Sequence, residues 1–164
     1  MFINYLALLN AVLLTDICVI FLSIFGIIQS KSLKEWYSNY TLSAVIADVL
    51  IIMLVIILSK IIYPFLFGNR VSLFLFICLA VVIQIIHDFL FYYFFSAVPK
   101  GANKMMDTFK AYAIENGYRI IVSDSIMVVS SCLLYSYFSS FNFDKNIILL
   151  IVLVYLVPYL VYNK

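Results

Sequence analysis

The chain has 164 residues, 66% hydrophobic and only 11% charged, whereas soluble domains carry roughly one-quarter charged residues. Too few polar residues remain to cover a water-facing surface. The small net charge of +2 is scattered between apolar runs, which excludes a basic nucleic-acid-binding stripe. A bilayer span takes roughly 20 apolar residues, so residues 1–164 form a single integral-membrane domain with no room for a separate soluble one.

The N-terminus, Met1-Phe2-Ile3-Asn4, lacks a basic leader region, and Asp16 interrupts the first apolar run before any cleavage pattern, so this run reads as a retained span. The predicted architecture is all-α, a polytopic transmembrane helical bundle of five spans. Span one covers residues 5–28 and is closed by the polar segment 29–40, whose Trp36, Tyr37 and Tyr40 suit an interfacial aromatic belt. Span two covers 41–59, where Lys60 can snorkel outward ahead of an aromatic turn through Pro64 to Arg70. Span three covers 71–95.

Residues 96–119 form the one long polar connection, punctuated by Pro99, Gly101 and Gly117. Within it an interfacial amphipathic helix is predicted over 103–116, with Asn103 as N-cap. Met105, Met106, Phe109, Tyr112 and Ala113 fall near one face; Lys104, Asp107, Thr108, Lys110 and Glu115 lie mostly on the other. Span four covers 120–138. Span five, 147–162, is short and free of charge, with Pro158 near its end.

With five spans, Lys31, Lys34, Lys100, Lys104, Lys110, Arg119 and Lys164 share one side, against Lys60, Arg70 and Lys145 on the other. The positive-inside rule then predicts an N-out, C-in protein. The basic residues of the long connection, Lys100, Lys104, Lys110 and Arg119, are the expected contacts for lipid headgroups. Cys18, Cys78 and Cys132 each stand alone in an apolar run and read as small buried hydrophobes, with no CxxC or zinc spacing.

Spans one to four each carry one aspartate: Asp16, Asp48, Asp88 and Asp124. A charged side chain at the centre of a helix in lipid costs about 2.5 to 3.5 kcal/mol on insertion scales, so a passive anchor has no use for four. Asp48, Asp88 and Asp124 lie five to seven residues from span ends on the same side, roughly 7 to 11 Å below one interface at 1.5 Å per residue. Asp16 lies deeper. Helical spacing gathers Gln84, His87 and Asp88 on one stripe and Asp124, Ser131 and Tyr135 on another. The 32-residue spacing of Asp16 and Asp48 and the 36-residue spacing of Asp88 and Asp124 hint at a repeated hairpin.

The site expected from these residues is a proton or cation cluster of Asp16, Asp48, His87, Asp88 and Asp124, supported by Gln84, Asn103, Asp107, Tyr112 and Ser131. Its activity would be proton or cation translocation, or coupled small-solute transport. The same carboxylates also serve as interhelical hydrogen-bonding groups in a purely structural bundle. A metal-dependent lipid-modifying enzyme is the third reading, with Asp88, Asp107 and Asp124 holding Mg²⁺ against a lipid phosphate. The spacing of known lipid phosphotransferases is absent, a single histidine builds no ordinary zinc site, and no cofactor motif is present, so no catalytic residue, metal or cofactor is assigned.

The segment containing His87-Asp88-Phe89, Pro99-Lys100-Gly101, Asn103, Met106-Asp107-Thr108-Phe109-Lys110, Tyr112 and Asp124-Ser125 resembles an uncharacterised family of small multi-pass membrane proteins of giant viruses, the nucleocytoplasmic large DNA viruses. The resemblance covers about a quarter of the chain. It implies a virion or host membrane as the location and no particular mechanism. The partners it suggests, beside the lipid bilayer, are a second copy of the chain or a capsid or membrane protein bound in an assembly role.

Overall fold

The computed structural model describes residues 4–162; Met1 to Ile3 and the basic residue Lys164 lie outside them. The described residues form seven helices: α1 (Tyr5–Ile24), α2 (Lys31–Tyr40), α3 (Leu42–Phe67), α4 (Leu73–Ala97), α5 (Lys104–Asn116), α6 (Arg119–Phe138) and α7 (Phe143–Val161). Five of them, α1, α3, α4, α6 and α7, are long and apolar enough to cross a membrane, and the protein is a multi-pass helical bundle.

Each boundary that differs from the sequence pattern has a local cause. Span one stops at Ile24 rather than residue 28 because Gly26 turns left-handed, with φ of +71°. Span two runs on to Phe67 rather than ending at residue 59. Pro64 sits in its final turn, where only one backbone bond is forgone, and Tyr63 folds the following loop back by accepting from the Ser72 amide at 2.9 Å and donating to the Arg70 carbonyl at 3.3 Å. Span three occupies 73–97 rather than 71–95, its first turn capped by Ser72. Span five begins at Phe143, four residues early, because Asn142 caps it by accepting from the Lys145 amide.

The segment read as an aromatic belt is itself a helix, α2, started by Ser30 accepting from the Leu33 amide. It lies at the same end of the bundle as α5 and packs against it. The two halves of the chain therefore share one order: span, short helix, span. The hinge between α2 and α3 is Thr41 (φ 47°, ψ −119°) and that between α5 and α6 is Gly117 (φ 53°, ψ −130°). Each stands seven residues before an aspartate, Asp48 or Asp124, so the hinted repeat extends to a matching turn conformation.

Inside the bundle α1 is the central helix, packed on α3, α6 and α7, while α4 packs on α3 and α6. Ala7, Ala11 and Ala44 are fully buried and let backbones approach closely. On α3 the stripe Ile46, Leu50, Leu54 and Leu58 faces outward, opposite buried Val45, Val49, Ile52 and Ile56. Cys132 is buried as expected, but Cys18 and Cys78 are exposed on the bundle surface, since their helix faces point away from the packed core.

Candidate functional site

Helix α2 carries Leu33, Trp36 and Tyr37 at i, i+3 and i+4, and all three turn inward. The Trp36 indole donates to Asp48 Oδ2 at 3.0 Å. The Tyr37 hydroxyl stands 2.9 Å from Asp16 Oδ1 and 3.0 Å from Asp48 Oδ2. Burial pushes the Tyr37 phenol well above its ordinary pKa, reinforced by the two carboxylates beside it, so this hydroxyl keeps its proton and acts as donor. Asp16 itself is completely buried, and its Oδ2 has no hydrogen-bond partner.

On α4 the expected stripe forms. Gln84 Nε2 donates to Asp88 Oδ1 at 2.6 Å, and His87 Nδ1 lies 3.3 Å from the same oxygen. This is an ion pair only when the imidazole is protonated. His87 also stacks on Phe91, with centroids 5.7 Å apart. Gln84 Oε1 and Asp88 Oδ2 are buried without a hydrogen-bond partner, a condition that costs about 1–3 kcal/mol per group. Among the described residues, the Asp124 carboxyl on α6 has no hydrogen-bond partner.

Asp48, Gln84, His87, Asp88, Tyr112 and Asp124 all line one partly open cavity of about 670 Å³ bordered by α2, α3, α4, α5 and α6. The three span ends that the sequence placed at one depth thus meet at one site. Asp16 is adjacent rather than lining, reached through Tyr37. Among the described residues no lysine or arginine lines the cavity, and nine aromatic side chains do. Helix α5 covers it: Phe109 meets Trp36 at 4.7 Å and Phe91 at 5.0 Å between ring centroids. The Tyr40 and Thr108 hydroxyls share a 2.8 Å hydrogen bond between α2 and α5. Burial, with the Asp124 and Asp48 charges nearby, raises the pKa of the Tyr112 phenol.

A second α2–α5 contact was not foreseen. Glu115 accepts from the backbone amides of Lys31 and Ser32 at 2.7 and 2.8 Å, and from the Ser32 hydroxyl. The hydroxyl and the two amides hold its carboxyl below the usual glutamate range. Glu115 therefore acts as a cap for α2 supplied from another helix.

Other expected site residues have local structural work instead. Asn103 caps α5 by accepting from the Met105 and Met106 amides. Asp107 Oδ2 accepts from the Gly101 amide at 2.8 Å, which turns it away from the cavity. No three carboxylate, histidine or cysteine side chains gather to hold a metal among the described residues, so Asp88, Asp107 and Asp124 do not converge as the lipid-enzyme reading requires. Ser131 donates to Thr15 Oγ1 at 3.1 Å, in the α1–α6 interface and away from the cavity. Lys110 donates to the Val98 carbonyl and closes the α4–α5 loop, whereas Lys100, Lys104 and Arg119 are exposed.

The sequence reading missed Trp36 and Tyr37 as site residues. The signal was present: Ser30 as a cap, followed by Leu33, Trp36, Tyr37 and Tyr40 at helical spacing. Compared with known proteins, the chain matches no family model, no curated protein and no solved structure.

Proposed function

We propose that this protein moves protons or cations across a membrane, alone or coupled to a small solute, through the acidic cavity between α3, α4 and α6. The observation that carries the proposal is the meeting of Asp48, Asp88 and Asp124, from three different spans, on a single cavity that no lysine or arginine lines among the described residues. A pathway for a positive species needs fixed acceptors in a low-dielectric wall. The buried acceptor atoms of Gln84 and Asp88 that no protein donor reaches supply them. Tyr37 extends the chain of acceptors from Asp48 to Asp16, deeper in the bundle.

The excess of lysine and arginine at the α2–α5 end makes that end cytoplasmic, with the N-terminus outside. The cavity then takes its cargo from the cytoplasm. A purely structural role, such as assembly of a viral membrane, is the competing account of the same carboxylates.

Proton and potassium flux into proteoliposomes decides between them. Flux well above empty vesicles is expected, reduced at least about tenfold by Asp88→Asn or Asp124→Asn in variants that still elute as folded protein. Absence of flux at every pH from about 5 to 8, a range spanning the ordinary histidine value, would leave the carboxylates as helix-pairing groups.

A further inference from the structure

We infer that the cargo or ligand of this cavity is an apolar organic cation, an ammonium or related charge carried on a hydrophobic body. The inference rests on the cavity being a binding site for positive species and adds the ligand's chemical class. Its volume, about 670 Å³, falls within the range of small-molecule sites and far exceeds what a bare metal ion fills. A hard divalent ion takes six or more oxygen ligands, and the described residues bring no three suitable ligands together.

The walls combine two kinds of group. Trp36, Phe91, Phe95, Phe109 and Tyr112 present ring faces and edges, and Asp48, Asp88 and Asp124 present carboxylates. Aromatic faces attract a desolvated cation through the negative face of the ring, and they offer nothing to a hydrated alkali ion that keeps its water shell. Among the described residues no lysine or arginine stands on the walls, so an organic anion meets three carboxyl groups and no fixed positive charge. Gln84 lines the same cavity, and its Oε1 is buried without a donor.

The test compares tetraphenylphosphonium with tetraphenylborate, which match in shape and apolarity and differ in the sign of charge. The readout is the fluorescence of Trp36, the chain's one tryptophan, in the full-length protein in neutral detergent. A saturable response to the cation with at least about tenfold tighter binding than the anion, weakened about tenfold or more by Asp88→Asn and Asp124→Asn, is the expected result. Equal responses to both ions would show a cavity that reads apolarity alone and would overturn the inference, as would no saturable response to either. The wild-type comparison decides even if a variant fails to fold.

Choline lipids carry the same cationic chemistry. Displacement of the probe by phosphatidylcholine and not by phosphatidylglycerol assigns the cation to a lipid headgroup; displacement by neither assigns it to a free solute. Proton flux without cation binding removes this inference and keeps the transport reading. Cation binding without flux does the reverse.

Discussion

The Tyr37 hydroxyl reaches Asp16 Oδ1 at 2.9 Å, joining the short helix α2 to the middle of the central helix α1. The same oxygen lies 3.0 Å from Asp48 Oδ2, so one phenolic proton serves two carboxylates. Both contacts are satisfied together only when one of the two carboxyls carries a proton of its own. Tyr37→Phe deletes this link and leaves Asp16 with neither oxygen partnered. The variant is expected to lose about 1–3 kcal/mol of stability and to slow any flux that uses Asp16. Thermal unfolding in detergent, followed by Trp36 fluorescence, checks the first effect, and the proteoliposome assay checks the second.

Glu115 and Ser32 make a pH-sensitive clasp between α5 and α2. The Glu115 pKa is lowered in the folded protein by the Ser32 hydroxyl and the Lys31 and Ser32 amides. Its contribution is therefore fully present above the ordinary glutamate pKa of about 4.3 and is lost as pH falls through the lowered value. Because the carboxylate is exposed to water, the effect is local and modest. Glu115→Gln is expected to speed hydrogen exchange at the Lys31 and Ser32 amides by about threefold to tenfold at neutral pH. Lowering the pH should bring the wild-type rates toward those of the variant.

Asn10 and Asn146 tie α1 to α7 through bonds from Asn10 Nδ2 to the Asn146 carbonyl at 2.8 Å and to its Oδ1 at 3.1 Å. Both residues are completely buried. A double-mutant cycle of Asn10→Ala and Asn146→Ala should give a coupling energy of about 0.6–1.7 kcal/mol, the range for interhelical hydrogen bonds in membranes. Coupling indistinguishable from zero would mean that α7 is held by apolar packing alone.

Thr41 occupies a backbone conformation, φ 47° and ψ −119°, that a β-branched residue adopts only under strain. The equivalent hinge in the second half is Gly117 at φ 53° and ψ −130°. Thr41→Gly is expected to raise stability by about 1 kcal/mol, since relief of strain exceeds glycine's entropy cost. The hydrogen bond from Thr41 to Tyr162, at 3.4 Å, is too long to offset this gain. Equilibrium unfolding in detergent measures the difference, and a loss of stability would place the hinge strain elsewhere.

Much of this was legible in the chain. Apolar runs of span length, separated by polar segments, are set by the thickness of a bilayer and the need to satisfy backbone groups inside it. The placing of Asp48, Asp88 and Asp124 toward one end of the bundle followed from counting residues to the span ends, and the Gln84, His87, Asp88 stripe from helical spacing. Helix α2 was missed because Trp36, Tyr37 and Tyr40 also suit an interfacial belt, and composition does not separate the two roles. Asn103 and Asp107 were drawn into the expected site although each finds its partner in a neighbouring loop or turn, as side chains of this kind commonly do.

The sequence by itself determined the five spans, the polar end with its short helix α5 and the placing of Asp48, Asp88 and Asp124 toward that end, because lipid and water impose those features residue by residue. Only the tertiary structure decided which faces of the spans turn inward. Leu50 and Val49 are equally apolar, and in lipid no hydrophobic contrast separates an outward residue from a packed one. Tertiary packing likewise brought Tyr37 to Asp16, Glu115 to Ser32 and Asn10 to Asn146, pairs 21, 83 and 136 residues apart. Such pairings depend on how helices cross, which no local spacing records.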